Sequence, residues 1–157
     1  MRRPGIGSHT HPHHGNSVDW ETPPDLLMKL GPFDDDPARP GETDGLVRDW
    51  TGFVWLNPPY SAAMWPWFAR LAHHRHGLGI LFARTETNGF FNEIWAKSDA
   101  VLFLKGRPHF YKNGQRAKGN SGGPVVIAAY GNEAVRRLRH ADIPGVFIER
   151  WVLTNAR

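Results

Sequence analysis

The chain contains the stretch Phe53-Val54-Trp55-Leu56-Asn57-Pro58-Pro59-Tyr60-Ser61, in which four apolar residues are followed at once by Asn-Pro-Pro-Tyr. Neither proline has an N–H group with which to continue a β-ladder, so a buried strand has to end at Leu56. Asn57 therefore follows the carboxyl end of a strand. Open α/β sheets bind their ligands at that position.

The Asn-Pro-Pro-Tyr turn is suited to holding an amino group on a flat ring. Pro58 and Pro59 fix their own φ angles and favour extended geometry before them, so the turn is stiff. The Asn57 side-chain oxygen and a backbone carbonyl can converge on one NH2 group, and Tyr60 can offer a face for ring stacking. The pattern favours an exocyclic amine on a heterocycle, with a plain strand-ending turn as the alternative.

Length and composition favour one compact domain, because 157 residues with 40% hydrophobic content are enough for an ordinary core. The chain has no cysteine. It has no apolar run of about 18 residues, and its N-terminus lacks an apolar signal core. We therefore expect a cytoplasmic protein without a membrane segment.

The charge is distributed unevenly. Residues 1–50 carry 5 Lys/Arg and 9 Asp/Glu, a balance of −4, whereas residues 51–157 carry 14 and 6, a balance of +8. This asymmetry favours a surface that faces a nucleic acid, beside a more acidic region for a small ligand. A solvated basic face is the alternative.

Residues 1–17 are predicted to be a disordered arm, and residues 18–157 to form the domain, because the arm is rich in Gly, Pro, Asn and Ser. The arm also carries His9, His11, His13 and His14. Pro12 and the glycines oppose a helix that would align these side chains, so no metal site is predicted.

The rest of the chain alternates between helix and strand patterns, which predicts an α/β fold. Thr22 is expected to cap a helix that begins at Pro23 and ends before Gly31, and Thr87 to cap a helix over 88–95. Other helices are predicted over 64–76, ended by Gly77, and over 133–140. Strands are predicted over 33–38, 53–56, 78–83, 100–104, 107–110, 124–130 and 146–153.

Two polar segments add candidate binding groups. Asp34, Asp35 and Asp36 repel one another, and a bound cation, or the ammonium and ribose hydroxyls of a ligand, would relieve that repulsion. Residues 112–123 form a basic, Gly-rich and mobile loop of the kind that follows phosphate backbones. The alternatives are a solvated turn and an exposed hairpin end.

An ordered set of short motifs carries a family resemblance: Trp20-x-Thr22-Pro23, Phe33-x-x-Asp36-Pro37-Ala38, Asp44-Gly45-Leu46, Trp50-x-Gly52, Asn57-Pro58-Pro59-Tyr60-Ser61, Arg84-Thr85-x-Thr87 and Gly106-Arg107-x-x-Phe110. In this order they resemble the phage and prophage DNA N-6-adenine methyltransferase (Dam) family over residues 19–131. The tetrapeptide itself resembles the signature of S-adenosylmethionine-dependent amino-methyltransferases.

The resemblance implies a single-domain, trimmed Rossmann-like methyltransferase sheet with flanking helices. It implies site-specific methyl transfer from S-adenosylmethionine to adenine N6 in double-stranded DNA, as phage or restriction-modification enzymes perform it in the bacterial host cytoplasm. No metal and no obligatory protein partner are inferred. The implied catalytic residues are Asn57, Pro58, Pro59 and Tyr60; the donor-binding residues are Trp20, Thr22, Pro23, Asp36 and Asn57; the DNA-binding residues are Arg84, Thr85, Thr87, Arg107, Lys112, Arg116 and Lys118.

The chain departs from the methyltransferase pattern at the donor site. The usual Gly-rich loop is missing, and Asp36-Pro37-Ala38-Arg39-Pro40-Gly41 stands in its place. Little chain remains before the catalytic turn for further adenosine-binding strands. Methylation of cytosine N4 or of a glutamine side chain, and a non-catalytic DNA-binding relative, are the alternative functions.

Overall fold

The computed structural model describes residues 20–155. The arm predicted over residues 1–17, with its histidines, lies outside this range. Four helices and seven strands make up the described part of the chain. The helices are α1 (Pro24–Leu30), α2 (Trp65–His74), α3 (Asn88–Phe90, continued by a π-helical turn at Phe91–Trp95) and α4 (Asn132–His140). The strands are β1 (Val54–Leu56), β2 (Gly77–Phe82), β3 (Ala100–Leu104), β4 (Tyr111–Lys112), β5 (Gln115–Arg116), β6 (Val125–Tyr130) and β7 (Gly145–Glu149).

Five strands form one mixed sheet in the order β1-β2-β6-β3-β7, and β4 pairs with β5 in a separate hairpin. β1 and β2 are parallel and are joined through α2, which makes a βαβ unit. The pairs β2–β6, β6–β3 and β3–β7 are antiparallel. The predicted single α/β domain is confirmed, with a mixed sheet.

Helices cover both faces of the sheet. Leu26 of α1 and Leu138 of α4 belong to the apolar cluster on one face, together with Trp55 of β1. Phe68 of α2 and Ile94 of the π-helical turn belong to the cluster on the other face. Because both faces are buried, the central strands are continuous apolar runs, which is why they are visible in the sequence.

The strand directions bring several loops to one edge of the sheet. β1, β2 and β3 all end there, and β6 begins there. We call this the carboxyl edge and define it by residues 57–61, 83–87 and 105–124. The candidate catalytic turn and the candidate DNA-binding segments therefore share one edge.

The first helix begins later than predicted. α1 starts at Pro24, Pro23 occupies the N-cap position, and no side chain caps the helix. Thr22 is buried, and its Oγ1 accepts a hydrogen bond from Trp55 Nε1 at 2.8 Å. The prediction that Thr22 is the cap is wrong because a contact distant in sequence uses its hydroxyl.

Gly77 does not end the second helix. α2 ends at His74, Arg75 takes the left-handed conformation with φ of 60°, and Gly77 is the first residue of β2. A Cβ atom at Gly77 would lie 2.5 Å from the Val54 carbonyl oxygen. The glycine therefore permits the close approach of β1 to β2.

The segment after β3 differs most from its prediction. No strand forms over 107–110, and the basic loop predicted over 112–123 begins inside the β4–β5 hairpin. Asn113 and Gly114 at the hairpin turn have φ values of 51° and 73°, which a two-residue type I′ turn requires. The last strand ends at Glu149, since Arg150 has a positive φ of 63°.

None of the helices within residues 20–155 is long and apolar enough to span a membrane.

Candidate active site

The side-chain amide of Asn57 has a fixed orientation at the carboxyl edge. Its Nδ2 donates a hydrogen bond to the Trp20 carbonyl oxygen at 3.0 Å. A carbonyl oxygen only accepts, so this contact identifies the nitrogen side of the amide. Asn57 Oδ1 has no hydrogen-bond partner among residues 20–155. The amide is thus held by its donor while its acceptor stays available.

The turn after Asn57 is stiff and leaves a second acceptor available. Pro58 is buried, and the Pro59 carbonyl accepts a hydrogen bond from Ser61 N at 2.9 Å. Ser61 Oγ accepts from Ala63 N at 3.2 Å and so starts the 3-10 turn that leads into α2. Within the described chain, the Pro58 carbonyl accepts no backbone hydrogen bond.

Tyr60 is packed into the edge of the core. Its ring centroid lies 4.6 Å from that of Phe82 and 5.9 Å from that of Phe110. The Tyr60 hydroxyl is buried without a hydrogen-bond partner in residues 20–155, and burial raises its pKa well above the ordinary value. The two aromatic neighbours fix the ring, and the hydroxyl is an unsatisfied buried group.

Tyr60→Phe is therefore expected to raise the free energy of unfolding in urea by about 1 kcal/mol, because it removes a desolvated hydroxyl that has no partner. Tyr130→Phe is the matched control. The Tyr130 hydroxyl is also buried but donates to the Glu93 carbonyl at 2.6 Å, so its loss is expected to destabilise the fold by about 1 kcal/mol. Equal destabilisation by both substitutions would show that the Tyr60 hydroxyl is bonded in the folded chain.

Residues 20–22 form a strip that crosses the end of β1. Asn57 contacts the Trp20 carbonyl, and Trp55 contacts the Thr22 hydroxyl. Glu21 forms an antiparallel bridge with Tyr111, with N···O distances of 2.8 and 3.0 Å. The candidate donor-binding residues Trp20 and Thr22 thereby lie next to the candidate catalytic residue.

The three consecutive aspartates have different environments. Asp34 Oδ2 accepts from Phe53 N at 2.7 Å. The Asp35 carboxylate accepts two hydrogen bonds from Arg48 at 2.7 and 2.8 Å, and these lower its pKa. Asp36 Oδ1 is buried without a partner in the described chain, and desolvation raises the pKa of this carboxyl to about 6. The protein itself satisfies the carboxylates of Asp34 and Asp35 and leaves one oxygen of Asp36 without a partner.

Asp36 also lies on the way to the carboxyl edge. Asp35 bridges Val54 in a parallel sense, and its carbonyl accepts from Trp55 N at 2.9 Å. Residues 34–36 therefore run beside β1 in the same direction, but only Asp35 makes a bridge, so the strand predicted over 33–38 does not form. The segment that carries Asp36 is therefore a direct neighbour of β1, the strand that Asn57 follows.

The candidate DNA-binding residues lie in two loops of the same edge. Arg84, Thr85 and Thr87 follow β2, while Arg107, Lys112, Arg116 and Lys118 lie between β3 and β6. The predicted capping role of Thr87 is confirmed, because its Oγ1 accepts from Phe90 N at 3.4 Å. A DNA contact by any of these residues stays a prediction.

Sequence reasoning missed three residues at or beside the candidate site. Glu21 and Tyr111 join the 20–22 strip to the hairpin, but they are 90 residues apart and nothing local in the sequence links them. Lys105 was also missed. It directly follows β3, and a position directly after a strand is the signal that singled out Asn57 after β1.

In the described range, no group of three or more His, Asp or Glu side chains is placed to hold a metal ion. No protein-family model, curated protein or solved structure matches the chain.

Proposed function

We propose that the protein is an S-adenosylmethionine-dependent DNA methyltransferase that acts on adenine N6. The observation that carries this proposal is the Asn57 amide, held by the Trp20 carbonyl with Oδ1 available at the end of β1. The adjacent Pro58 carbonyl has no backbone partner among residues 20–155. Two unpaired acceptors in a stiff turn suit an NH2 group, which offers two hydrogens.

Adenine N6 is a poor nucleophile because its lone pair is delocalised into the ring. If Asn57 Oδ1 and the Pro58 carbonyl each accept one N6 hydrogen, the nitrogen moves toward tetrahedral geometry and the lone pair becomes available to the donor methyl group. Asparagine is not a general base. Catalysis then rests on orientation and hydrogen bonding, and the proton leaves to water after transfer.

In this proposal, the methyl donor S-adenosylmethionine binds beside β1. Asp35 bridges Val54 of β1 in a parallel sense, and β1 is parallel to β2, which supports a trimmed Rossmann-like arrangement on this side of the sheet. Asp36 Oδ1, which has no partner in the described chain, is suited to accept a hydrogen bond from the ammonium or a ribose hydroxyl of S-adenosylmethionine. When bound, the donor supplies an electrophilic sulfonium methyl group.

In this proposal, the DNA strand that carries the target adenine lies along the carboxyl edge. An adenine in duplex DNA has to leave the base stack to reach Asn57, at a cost of a few kcal/mol. Tyr60, held by Phe82 and Phe110, borders the place that the base would occupy. The basic residues after β2 and β3 lie on the same edge, where the phosphates of the strand would pass.

The proposal is tested by incubating the chain with labelled S-adenosylmethionine and mixed-sequence duplex DNA, then identifying the modified nucleoside by mass. The expected product is N6-methyladenosine in its deoxy form. N4-methylcytosine would favour the cytosine alternative. DNA binding without donor binding in calorimetry, and without a methylated nucleoside, would favour a non-catalytic relative.

A further inference from the structure

Most cations outside the carboxyl edge are used in ion pairs of the fold. Those pairs are Arg39–Glu42, Arg48–Asp35, Arg75–Asp99, Lys97–Glu93, Arg136–Glu133, Arg137–Glu133 and Arg139–Glu149. Residues 105–123 are different. They contain five Lys/Arg, no Asp and no Glu. None of these five cations has an ion-pair partner in the part of the chain that the structure describes.

Three of these cations line one cleft. The cleft has a volume of about 340 Å³ and lies between the start of α1, the loop after β3, the hairpin and the loop before β7. Its basic residues are Lys105, Arg107 and Arg116, and its single carboxylate is Asp25. Leu26 and Leu104 are among the apolar residues of its lining. We call it the edge cleft.

The edge cleft is connected to the candidate catalytic turn by backbone contacts. Tyr111 lines the cleft and pairs with Glu21, and the preceding carbonyl of Trp20 holds the Asn57 amide. Glu21 Oε1 also accepts from Gly114 N in the hairpin turn at 3.3 Å. A DNA strand bound in the edge cleft would therefore be separated from Asn57 by the 20–22 strip.

We propose that the edge cleft binds phosphates of the DNA strand that carries the reacting base, through Lys105, Arg107 and Arg116. The inference rests on the proposed function for the identity of the polyanion. Arginine forks match phosphate oxygens, and an unpaired, exposed cation needs no ion pair to be broken before it binds. The apolar lining suits the sugar between two phosphates.

The test is binding of a fluorescently labelled DNA duplex, measured by anisotropy without methyl donor from about 50 to about 200 mM salt. Arg107→Ala/Arg116→Ala is expected to weaken binding and to reduce the slope of log K against log salt by about 1.8, or about 0.9 per lost phosphate contact. Lys105→Ala is expected to reduce it by about 0.9. Arg107→Lys/Arg116→Lys keeps the charges and is expected to retain most of the slope.

Arg136→Ala/Arg139→Ala is the matched control. It removes the same charge from α4, where both residues are already ion-paired and neither lines the cleft. This control is expected to leave the slope nearly unchanged. Equal slopes for the cleft variant and the control would overturn the inference, as would wild-type chain that fails to bind DNA.

Competition with polyglutamate separates a nucleic acid from an acidic protein partner. Unlabelled DNA is expected to displace the labelled duplex far better than polyglutamate does at equal charge. Equal competition by the two polyanions would overturn the assignment to DNA. The binding measurement needs no methyl transfer. A chain that binds DNA through the cleft but produces no methylated nucleoside would refute the proposed function and leave the phosphate-binding cleft supported.

Discussion

Replacement of Asn57 by Ala is expected to lower the single-turnover rate of methyl transfer by about 10²–10³, the usual cost of losing one preorganised hydrogen-bonding group at a reacting centre. The substitution removes Oδ1, which would accept an N6 hydrogen. It also removes the Nδ2 contact to the Trp20 carbonyl. Donor affinity, measured by calorimetry, is expected to change little because the expected donor contacts lie mainly on other residues.

Asn57→Asp separates the two roles of the amide. A carboxylate keeps an acceptor for the N6 hydrogen, but it has no hydrogen to donate to Trp20 and would place two acceptors against each other. We expect activity between those of Asn57→Ala and the native chain, with a loss of stability from the broken 3.0 Å contact. If the turn only ends the strand and has no catalytic role, both variants are expected to change stability alone and to keep the native rate per folded molecule.

Urea unfolding of both variants supplies the control for this experiment. Rates are compared per folded molecule, so that destabilisation is not counted as lost catalysis. Full activity in folded Asn57→Ala would overturn the catalytic assignment.

The features of the fold that were predictable from sequence are local ones. β1 was predictable because an apolar run meets two prolines that stop a ladder. The strand over 100–104 was predicted with the bounds that β3 has. The capping of α3 by Thr87 was also predictable, since its partner is three residues away.

The features that were not predictable depend on partners distant in sequence. The insertion of β6 between β2 and β3 makes the sheet mixed, and no periodicity records which strand pairs with which. Threonine is a residue type that commonly caps helices, yet the Thr22 hydroxyl accepts a hydrogen bond from Trp55, which lies 33 residues later in the sequence. The orientation of Asn57 likewise depends on Trp20, 37 residues earlier. The contacts that hold the candidate site residues in place were therefore not predictable from local sequence patterns.

The candidate donor site makes a prediction about pH. Desolvation raises the pKa of Asp36 to about 6, so the folded chain binds a proton there more readily than the unfolded chain does. The contribution of this group to the free energy of unfolding is therefore greatest below about pH 4 and is lost as the pH rises to about 6. At neutral pH the ionised carboxylate destabilises the fold by about 1–3 kcal/mol.

Asp36→Asn is expected to stabilise the chain at neutral pH and to weaken donor binding, because it removes the buried charge that the donor would satisfy. The expected loss of donor affinity is about 1.5–3 kcal/mol, or roughly 10- to 150-fold, the value of a charge-assisted hydrogen bond. In the native chain, donor affinity is expected to fall below about pH 6 as the carboxyl becomes protonated. In Asp36→Asn this pH dependence is expected to disappear.

Asp49→Asn is the control for Asp36→Asn, because it makes the same chemical change at an exposed position. Thermal unfolding and donor calorimetry at about pH 5 and about pH 8 are measured on all three chains. A higher free energy of unfolding together with a lower donor affinity in Asp36→Asn would support a functional carboxylate. A buried charge that destabilises the fold but binds the donor produces this trade-off between stability and function. Unchanged donor affinity in that stabilised chain would contradict the assignment, since Asp36 would then be a buried charge that no donor uses.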